Sequence, residues 1–564
     1  MNVRCRLVAA SAAVAGLLLV AGCGGSEGTG ASTTPAPPGT VPLISTDNLP
    51  AAKAGEVHLF GINDLHGNLQ PPTGTNGHVG TYAAGGAAYL AAHLAKLKAK
   101  YPDSAVLSAG DNVSASPLVS ALFHDEPAID FLNSIGTAAS SVGNHEFDHG
   151  VPELIRLQQG GCAADGCSPG EPFRGARFPY LAANVTDANG QLPPGLKAST
   201  VLTLGGHKIG VVGVVTPDTV NIVMPQGIQG YRFGDEAEAI DKAVPQLRAE
   251  GAETVVALLH DGGTQQTHGA PVDYNGCADV SGNVTKLAQR VDPAVRVLIT
   301  GHTHQAYNCT VAGKLVTQAA SYGRLISDIT LRFHDGTVDA TAVNRVVTQT
   351  VTPDPAAAKL VDFFTAQAEP RAKRVIGDSS GPLPMEPAPA GDSPLGDVIA
   401  DAMLSAMAPA QAVAAFMNPG GVRADLTGGA ITYEQAYTVQ PFGNAVVTVR
   451  LTGEQIVNLL EQQWNNVSKP GVLSVAGITY AYDDTAPAGH KVVPGSVHIG
   501  GRPLDPAASY QVSTNNFLAA GGDGFSVFTQ GSQTAVGPTD LDALESYLRT
   551  RGSVEPPSGR IERR

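Results

Sequence analysis

Five short polar clusters follow one another along this sequence: Asn63-Asp64-Leu65-His66-Gly67-Asn68, Gly110-Asp111-Asn112, Gly143-Asn144-His145-Glu146, His260-Asp261 and Gly301-His302-Thr303-His304. Carboxylate oxygens and imidazole nitrogens suit divalent first-row metals, and the absence of Cys from every cluster argues against a structural thiolate site. A single His-x-His at a strand end is more often a solvated loop than a ligand pair. Five such clusters in series, each near a strand end or turn, point instead to one shared centre. A divalent cation held by such donors lowers the pKa of bound water toward ~7 and so supplies a nucleophile at neutral pH. Such a centre needs no Ser or Cys nucleophile.

The clusters require elements that bring them to one rim. The β-rich apolar runs at 57–62, 105–109, 254–259 and 295–300 each end directly in a cluster, and in open α/β sheets functional groups collect at the carboxyl ends of strands. From 57 to about 351 such runs alternate with helix-like segments, which predicts an α/β or α+β layered domain. Asp354 as a cap and Pro355 in the first turn predict a linking helix over 356–368 that Pro370 ends. The Pro- and Gly-rich stretch 377–391 then reads as the loop into a second domain of mixed elements, with helices near 456–463 and 540–549. The expected division is a first domain over 56–351, a link over 352–391, a second domain over 392–550 and a tail over 551–564.

Length agrees, because single hydrophobic cores stop growing near ~250 to 300 residues and this chain has 564. With 35 basic against 50 acidic residues, the net charge of -15 repels a nucleic-acid backbone and excludes polymeric DNA or RNA as the main partner. A small anionic substrate stays compatible, since bound cations invert the local field. Arg4 and Arg6 before the apolar run 7–20 form an export signal, too short to span a membrane. It closes on Leu19-Val20-Ala21-Gly22-Cys23, which resembles the bacterial lipobox. Cleavage of 1–22 would leave Cys23 diacylated, at the head of a flexible Gly-, Ser- and Pro-rich tether over 23–55. The expected location is the outer face of the bacterial cell membrane; plain secretion with a free Cys is the alternative. The four remaining cysteines suggest disulfides, Cys162 with Cys167 and Cys277 with Cys309. Their spacing does not match a paired CxxC metal site.

With these clusters assembled, the sequence resembles the calcineurin-like metallophosphoesterases, and within them the 5′-nucleotidase and UDP-sugar hydrolase family. The resemblance continues through Phe147-Asp148, Phe178-Pro179-Tyr180-Leu181-Ala182-Ala183-Asn184-Val185 and Gln318-Ala319-Ala320. In the second domain it is carried by Asn418-Pro419-Gly420-Gly421-Val422-Arg423, Pro441-Phe442-Gly443-Asn444 and the segment from Asn516-Phe517 to Gly522-Asp523-Gly524-Phe525. It implies a four-layer first domain, a β-sandwich flanked by helices, and a smaller mixed α/β substrate domain. It implies two divalent ions, Zn, Mn, Co or Fe, with Asp64, His66 and His304 on one, Asn144, His260 and His302 on the other, and Asp111 bridging.

The resemblance places His145 near the phosphoryl group. Asp148, three residues on, lies within reach of its imidazole on a helical turn and keeps it charged; the plainer role for Asp148 is a helix-start carboxylate. Substrate contacts fall on Asn418, Arg423, Phe442, Phe517 and Asp523, the two rings sandwiching a nucleobase, whereas residue types alone make both Phe core and Gly521 to Gly524 a turn. There is a departure: where family members often carry arginines before Leu395, this chain has Met385-Glu386-Pro387-Ala388-Pro389-Ala390-Gly391-Asp392, which leaves Arg423 as the clearest anion contact. The expected activity is hydrolysis of nucleoside 5′-monophosphates. The alternatives are UDP-sugar pyrophosphatase or cyclic-nucleotide and organic-phosphate phosphodiesterase activity, or an idle nucleotide- or metal-binding lipoprotein. Oligomeric state is left open.

Overall fold

The computed structural model describes residues 42–564 except 165, 171, 268–271, 335 and 466–469. Two six-stranded sheets form its first half. One runs Thr337–Val346, Leu325–His334, Glu56–Ile62, Ser104–Ser108, Thr137–Ser141 and Tyr180–Leu181 across the sheet. The other runs Ala306–Val311, Lys314–Ala319, Val295–Thr300, Thr254–His260, His207–Val215 and Ser199–Leu204. The strands that lead into the polar clusters are central and parallel to their cluster-bearing neighbours, Glu56–Ile62 with Ser104–Ser108 and Thr254–His260 with Val295–Thr300, so their carboxyl ends share a rim.

Alternation along Glu56–Ile62 decides the layering. Val57 and Leu59 face the other sheet, packing with Val211, Leu258 and Val297, whereas Phe60 and Ile62 face the helices. Helices Ala87–Lys100, Glu126–Ser134, Val151–Gln159 and Pro355–Ala372 cover that outer side, and Glu236–Ala249 with Asn283–Arg290 cover the second sheet. The result is four layers, helices outside two facing sheets. Each fully buried Val, Leu or Phe contributes roughly 1.5 to 3 kcal/mol. The sheets approach so closely that a side chain at Gly213 would meet Leu181 at 2.4 Å.

The linking helix runs Pro355–Ala372, and the Asp354 carboxylate accepts from the Ala356 and Ala357 amides at its start. It does not stop at Pro370, contrary to the sequence expectation. Proline there removes one bond in the last turn, while Ala368 packs in the first core and Ala372 in the second, which holds the helix on course. The remainder is built on a five-stranded sheet of Ser474–Ala476, Ala414–Met417, Ser509–Asn515, Ala445–Thr452 and Ser532–Thr539, with helix Pro394–Ala406 against it.

Two end segments differ from expectation. The presumed tail supplies Ser553–Val554 and Ile561–Arg563 to sheets beside Asp378–Ser379 and Tyr480–Tyr482, and Arg560 pairs with Asp401 at 2.7 Å. The end of the presumed tether docks: the Ile44 amide donates to the Tyr274 hydroxyl at 2.8 Å and the Val346 amide to the Ile44 carbonyl at 2.7 Å. Backbone hydrogen bonds, which composition does not reveal, order both. Cys162–Cys167 and Cys277–Cys309 are bonded, and among the described residues no helix is long and apolar enough to cross a membrane. Cys23 lies outside the described residues.

Candidate active site

The rim gathers the clusters on tight, strained turns. Asp64 (φ +49°), His66 (+45°), Asp111 (+52°), His302 (+69°) and His304 (+54°) all have left-handed backbone, a conformation that costs a side-chain-bearing residue roughly 1 to 2 kcal/mol. Packing around them supplies the constraint. Gly143 makes room, since a Cβ there would lie 2.1 Å from Asp111 Oδ1.

Three groups of ligand atoms, each within 4.8 Å of one another, result: Asp64, His66 and His304; His66, Asp111 and His145; and Asp111, His260 and His302. Asp111 is common to the last two. His66 Nδ1 donates to the Ser114 carbonyl at 2.9 Å and His260 Nδ1 to the Ala109 carbonyl at 2.7 Å, so both turn the lone pair of Nε2 inward. His260 Nε2 then faces Asn144 Oδ1 at 3.1 Å and Asp111 Oδ2 at 3.1 Å, and His302 Nδ1 lies 2.9 Å from the same Asn144 oxygen. His304 Nε2 stands 3.2 Å from His66 Nε2 and 3.4 Å from Asp64 Oδ1. Acceptors aimed at acceptors repel unless positive charge lies among them. An N and O donor set of this kind fits divalent cations, and Asp64, His66, Asp111, Asn144, His260, His302 and His304 are the residues that could hold them.

Protonation follows the same logic. With a proton rather than a cation at Nε2, burial opposes the charge on His260, yet Asp111 and Asp64 carry its pKa up to about 10; a cation at Nε2 would replace that proton. Burial and neighbouring His260 push His302 down to about 4, and burial holds His66 well below the usual imidazole range. Asp111 stays far below the usual carboxylate range despite its burial, because His260 and His145 face it.

His145–Phe147 form a single 3-10 turn, which sets His145 Nδ1 2.6 Å from Asp148 Oδ2. Burial opposes the charge on His145, but Asp148 and Asp111 raise its pKa above the ordinary value. From the second half, Phe442 stacks on the His145 ring at 5.7 Å and 17°, and the Arg423 guanidinium lies 5.8 Å from the Phe442 centroid. Asn418 Nδ2 donates to Asp523 at 2.7 Å, and its Oδ1 accepts from Asn515 Nδ2 at 3.0 Å. Phe517 lies over Gly522, where a Cβ would come within 2.5 Å of the ring.

Two residues matter more than their sequence setting suggested. Glu146 accepts from the Asp111 amide at 2.9 Å and the Asn112 amide at 2.8 Å and also from the Gly143 amide, tying two loops together. Burial and Asp111 lift its pKa to about 7. Asn63 donates to Asp64 Oδ2 at 2.6 Å and accepts from the Ala319 amide at 2.9 Å, which joins the first cluster to Gln318-Ala319-Ala320. Both lie inside quoted motifs, and their position beside a ligand candidate was the available signal.

Residues 58–306 match the calcineurin-like phosphoesterase family and 375–530 the 5′-nucleotidase C-terminal domain. The Cell wall protein Lmo0130 of Listeria monocytogenes is 31% identical over 90% of this chain and 69% of its own length. The chain belongs to the 5′-nucleotidase family of calcineurin-like phosphoesterases. Its members are metal-dependent phosphoester hydrolases, and this chain is an enzyme of that class. Endonuclease YhcR of Bacillus subtilis is 32% identical over 88% of this chain, which spans only 40% of that protein. Among solved structures, the 5′-nucleotidase precursor of Thermus thermophilus superposes with a TM-score of 0.76 at 29% identity, covering 90% of this chain and 99% of that one.

Proposed function

We propose that the protein hydrolyses nucleoside 5′-monophosphates outside the cytoplasm, releasing nucleoside and phosphate. The observation that carries this is the position of Asp111, which forms one ligand group with His66 and His145 and another with His260 and His302, while Phe442 lies against the His145 ring and the Arg423 guanidinium 5.8 Å from the Phe442 centroid. Asp64, His66 and His304 would hold one divalent ion and Asn144, His260 and His302 a second, with Asp111 touching both. When bound, such ions neutralise phosphoryl oxygens and activate water near neutral pH. His145, kept charged by Asp148, donates its proton to the departing nucleoside oxygen. Arg423 holds the anion in register; Phe442 and Phe517 take the base, and Asn418 with Asp523 its polar partner groups.

The expected result is phosphate release from adenosine and uridine 5′-monophosphates that a chelator abolishes and Zn, Mn, Co or Fe restores. Release from an aryl phosphate with none from nucleotides would overturn the substrate. Export through residues 1–22 and lipid attachment at Cys23 complete the reading, supported by a relative named as a cell wall protein. Cys23→Ser should lose lipid labelling and leave the membrane fraction; an unlabelled, soluble wild type removes the anchor.

A further inference from the structure

Between Asp111 and helix Glu126–Ser134 the chain takes a strained path. Ser114 (φ +60°), Ala115 (+48°), His124 (+54°) and Asp125 (+57°) are all left-handed without being glycine, a conformation that surrounding contacts must hold in place. Asp125 also occupies the N-cap position of that helix, where an Asp side chain ordinarily accepts from first-turn amides, yet it makes no such bond. Its buried carboxyl reaches back eleven residues instead, Oδ2 accepting from the Ser114 amide at 2.8 Å. The carbonyl of Ser114 is the acceptor that holds His66 Nδ1 at 2.9 Å. Asp125 and His66 therefore pin one residue from its two ends, and Nε2 of His66 keeps its lone pair toward Asp111 and His304. The same loop meets the second half of the chain. Leu118 is buried in the core that also contains Ile399, Ala436 and Leu544, and Leu122 packs against both cores. A Cβ at Gly67 would lie 2.7 Å from Ser120, so the loop also presses on the backbone beside His66. Tyr437 of helix Tyr433–Val439 lies near Asp125: burial, and then that carboxyl, raise its phenol pKa above the ordinary value.

We propose that Asp125 is a positioning residue for the metal centre: through Ser114 it fixes the tautomer and ring orientation of His66, and with them the affinity of the ion that Asp64, His66 and His304 would hold. The proposal rests on the metal reading of the centre and adds to it a residue that touches neither substrate nor ion. Removing an outer partner of a ligand imidazole typically costs ~10- to 100-fold in metal affinity. Geometry sets which ion responds. His260 takes its orientation from the Ala109 carbonyl at 2.7 Å, outside the 114–125 loop, so the ion held by Asn144, His260 and His302 should be indifferent to Asp125.

The test titrates metal-free protein with Co²⁺, followed by calorimetry and visible absorption. Asp125→Gly adopts the left-handed backbone without strain, so its thermal midpoint should not fall, while one of two ions binds ~10- to 100-fold more weakly and the other as in wild type. Asp125→Asn retains an oxygen for the Ser114 amide and should recover most of that affinity. Should Asp125→Gly fail to fold, Asp125→Ser, which can cap helix Glu126–Ser134 but is too short to reach Ser114, replaces it with the same expectation for the ions. Both ions binding as in wild type, both weakening equally, or no recovery in Asp125→Asn overturns the proposal. A wild type that takes up fewer than two ions refutes the paired-metal reading instead. The ¹⁵N imidazole shifts of His66 in metal-free protein then decide: a single Nδ1–H tautomer is expected in wild type and a mixture in Asp125→Gly, and an unchanged tautomer overturns the role of Asp125.

Discussion

Replacing Phe442 with Ala removes a ring that meets two groups: the His145 imidazole, 5.7 Å away and nearly parallel at 17°, and the Arg423 guanidinium, 5.8 Å from the Phe442 centroid. The family resemblance places Phe442 as a platform for a base, so its loss would fall on nucleotides only. The stack on His145 changes that expectation, because the placement of His145 serves every phosphoester. An aromatic pair is worth ~0.5 to 1.5 kcal/mol, which corresponds to a ~2- to 13-fold lower kcat on any substrate. A nucleotide also loses base stacking of ~1 to 3 kcal/mol, bringing its total loss in kcat/KM to ~10- to 2,000-fold. The assay is kcat and KM for 4-nitrophenyl phosphate and adenosine 5′-monophosphate in wild type, Phe442→Ala and Phe442→Tyr, with metal content measured alongside. Phe442→Tyr keeps the ring and should recover the aryl phosphate rate. An aryl phosphate turned over by Phe442→Ala as fast as by wild type would show that the ring does not position His145.

His302→Ala and Asp111→Asn should lower metal content and activity together, whereas His145→Ala should keep its metal and lose ~10²- to 10⁴-fold in turnover; parallel loss of metal would make His145 a ligand. Asp540, buried at the start of helix Asp540–Arg551, has its pKa raised to about 7 by burial. The folded state therefore holds more protons than the unfolded state between about pH 4 and 7, and stability falls as pH rises through that window, by on the order of 4 kcal/mol. Asp540→Asn should flatten the dependence in thermal unfolding at pH 5 and 7, and an unchanged slope would refute it. The Cys277–Cys309 bond spans 32 residues around Gly301 to His304, a closure worth about 3 to 4 kcal/mol. Cys277→Ser should lower both Tm and metal affinity; an unaltered Tm would show that the loop is held by other means.

What residue order determined was chemistry of short range. The donor types, their clustering after apolar runs, the i,i+3 pair of His145 and Asp148 and the cap on Pro355–Ala372 all depend on a few neighbouring residues, and the backbone realises them locally. The two facing sheets were legible only through the family resemblance, because strands such as Thr254–His260 are buried on both faces and show no alternation. Tertiary structure alone decided the rest. That Phe442 meets His145 and that Glu146 binds the amides of Asp111 and Asn112 depend on segments tens to hundreds of residues apart. The same holds for Ile561–Arg563, whose pairing with Tyr480–Tyr482 uses backbone groups that every residue carries. Such contacts leave no periodic trace, because a hydrogen bond or ring contact across the fold needs the right atoms only after the layers have packed.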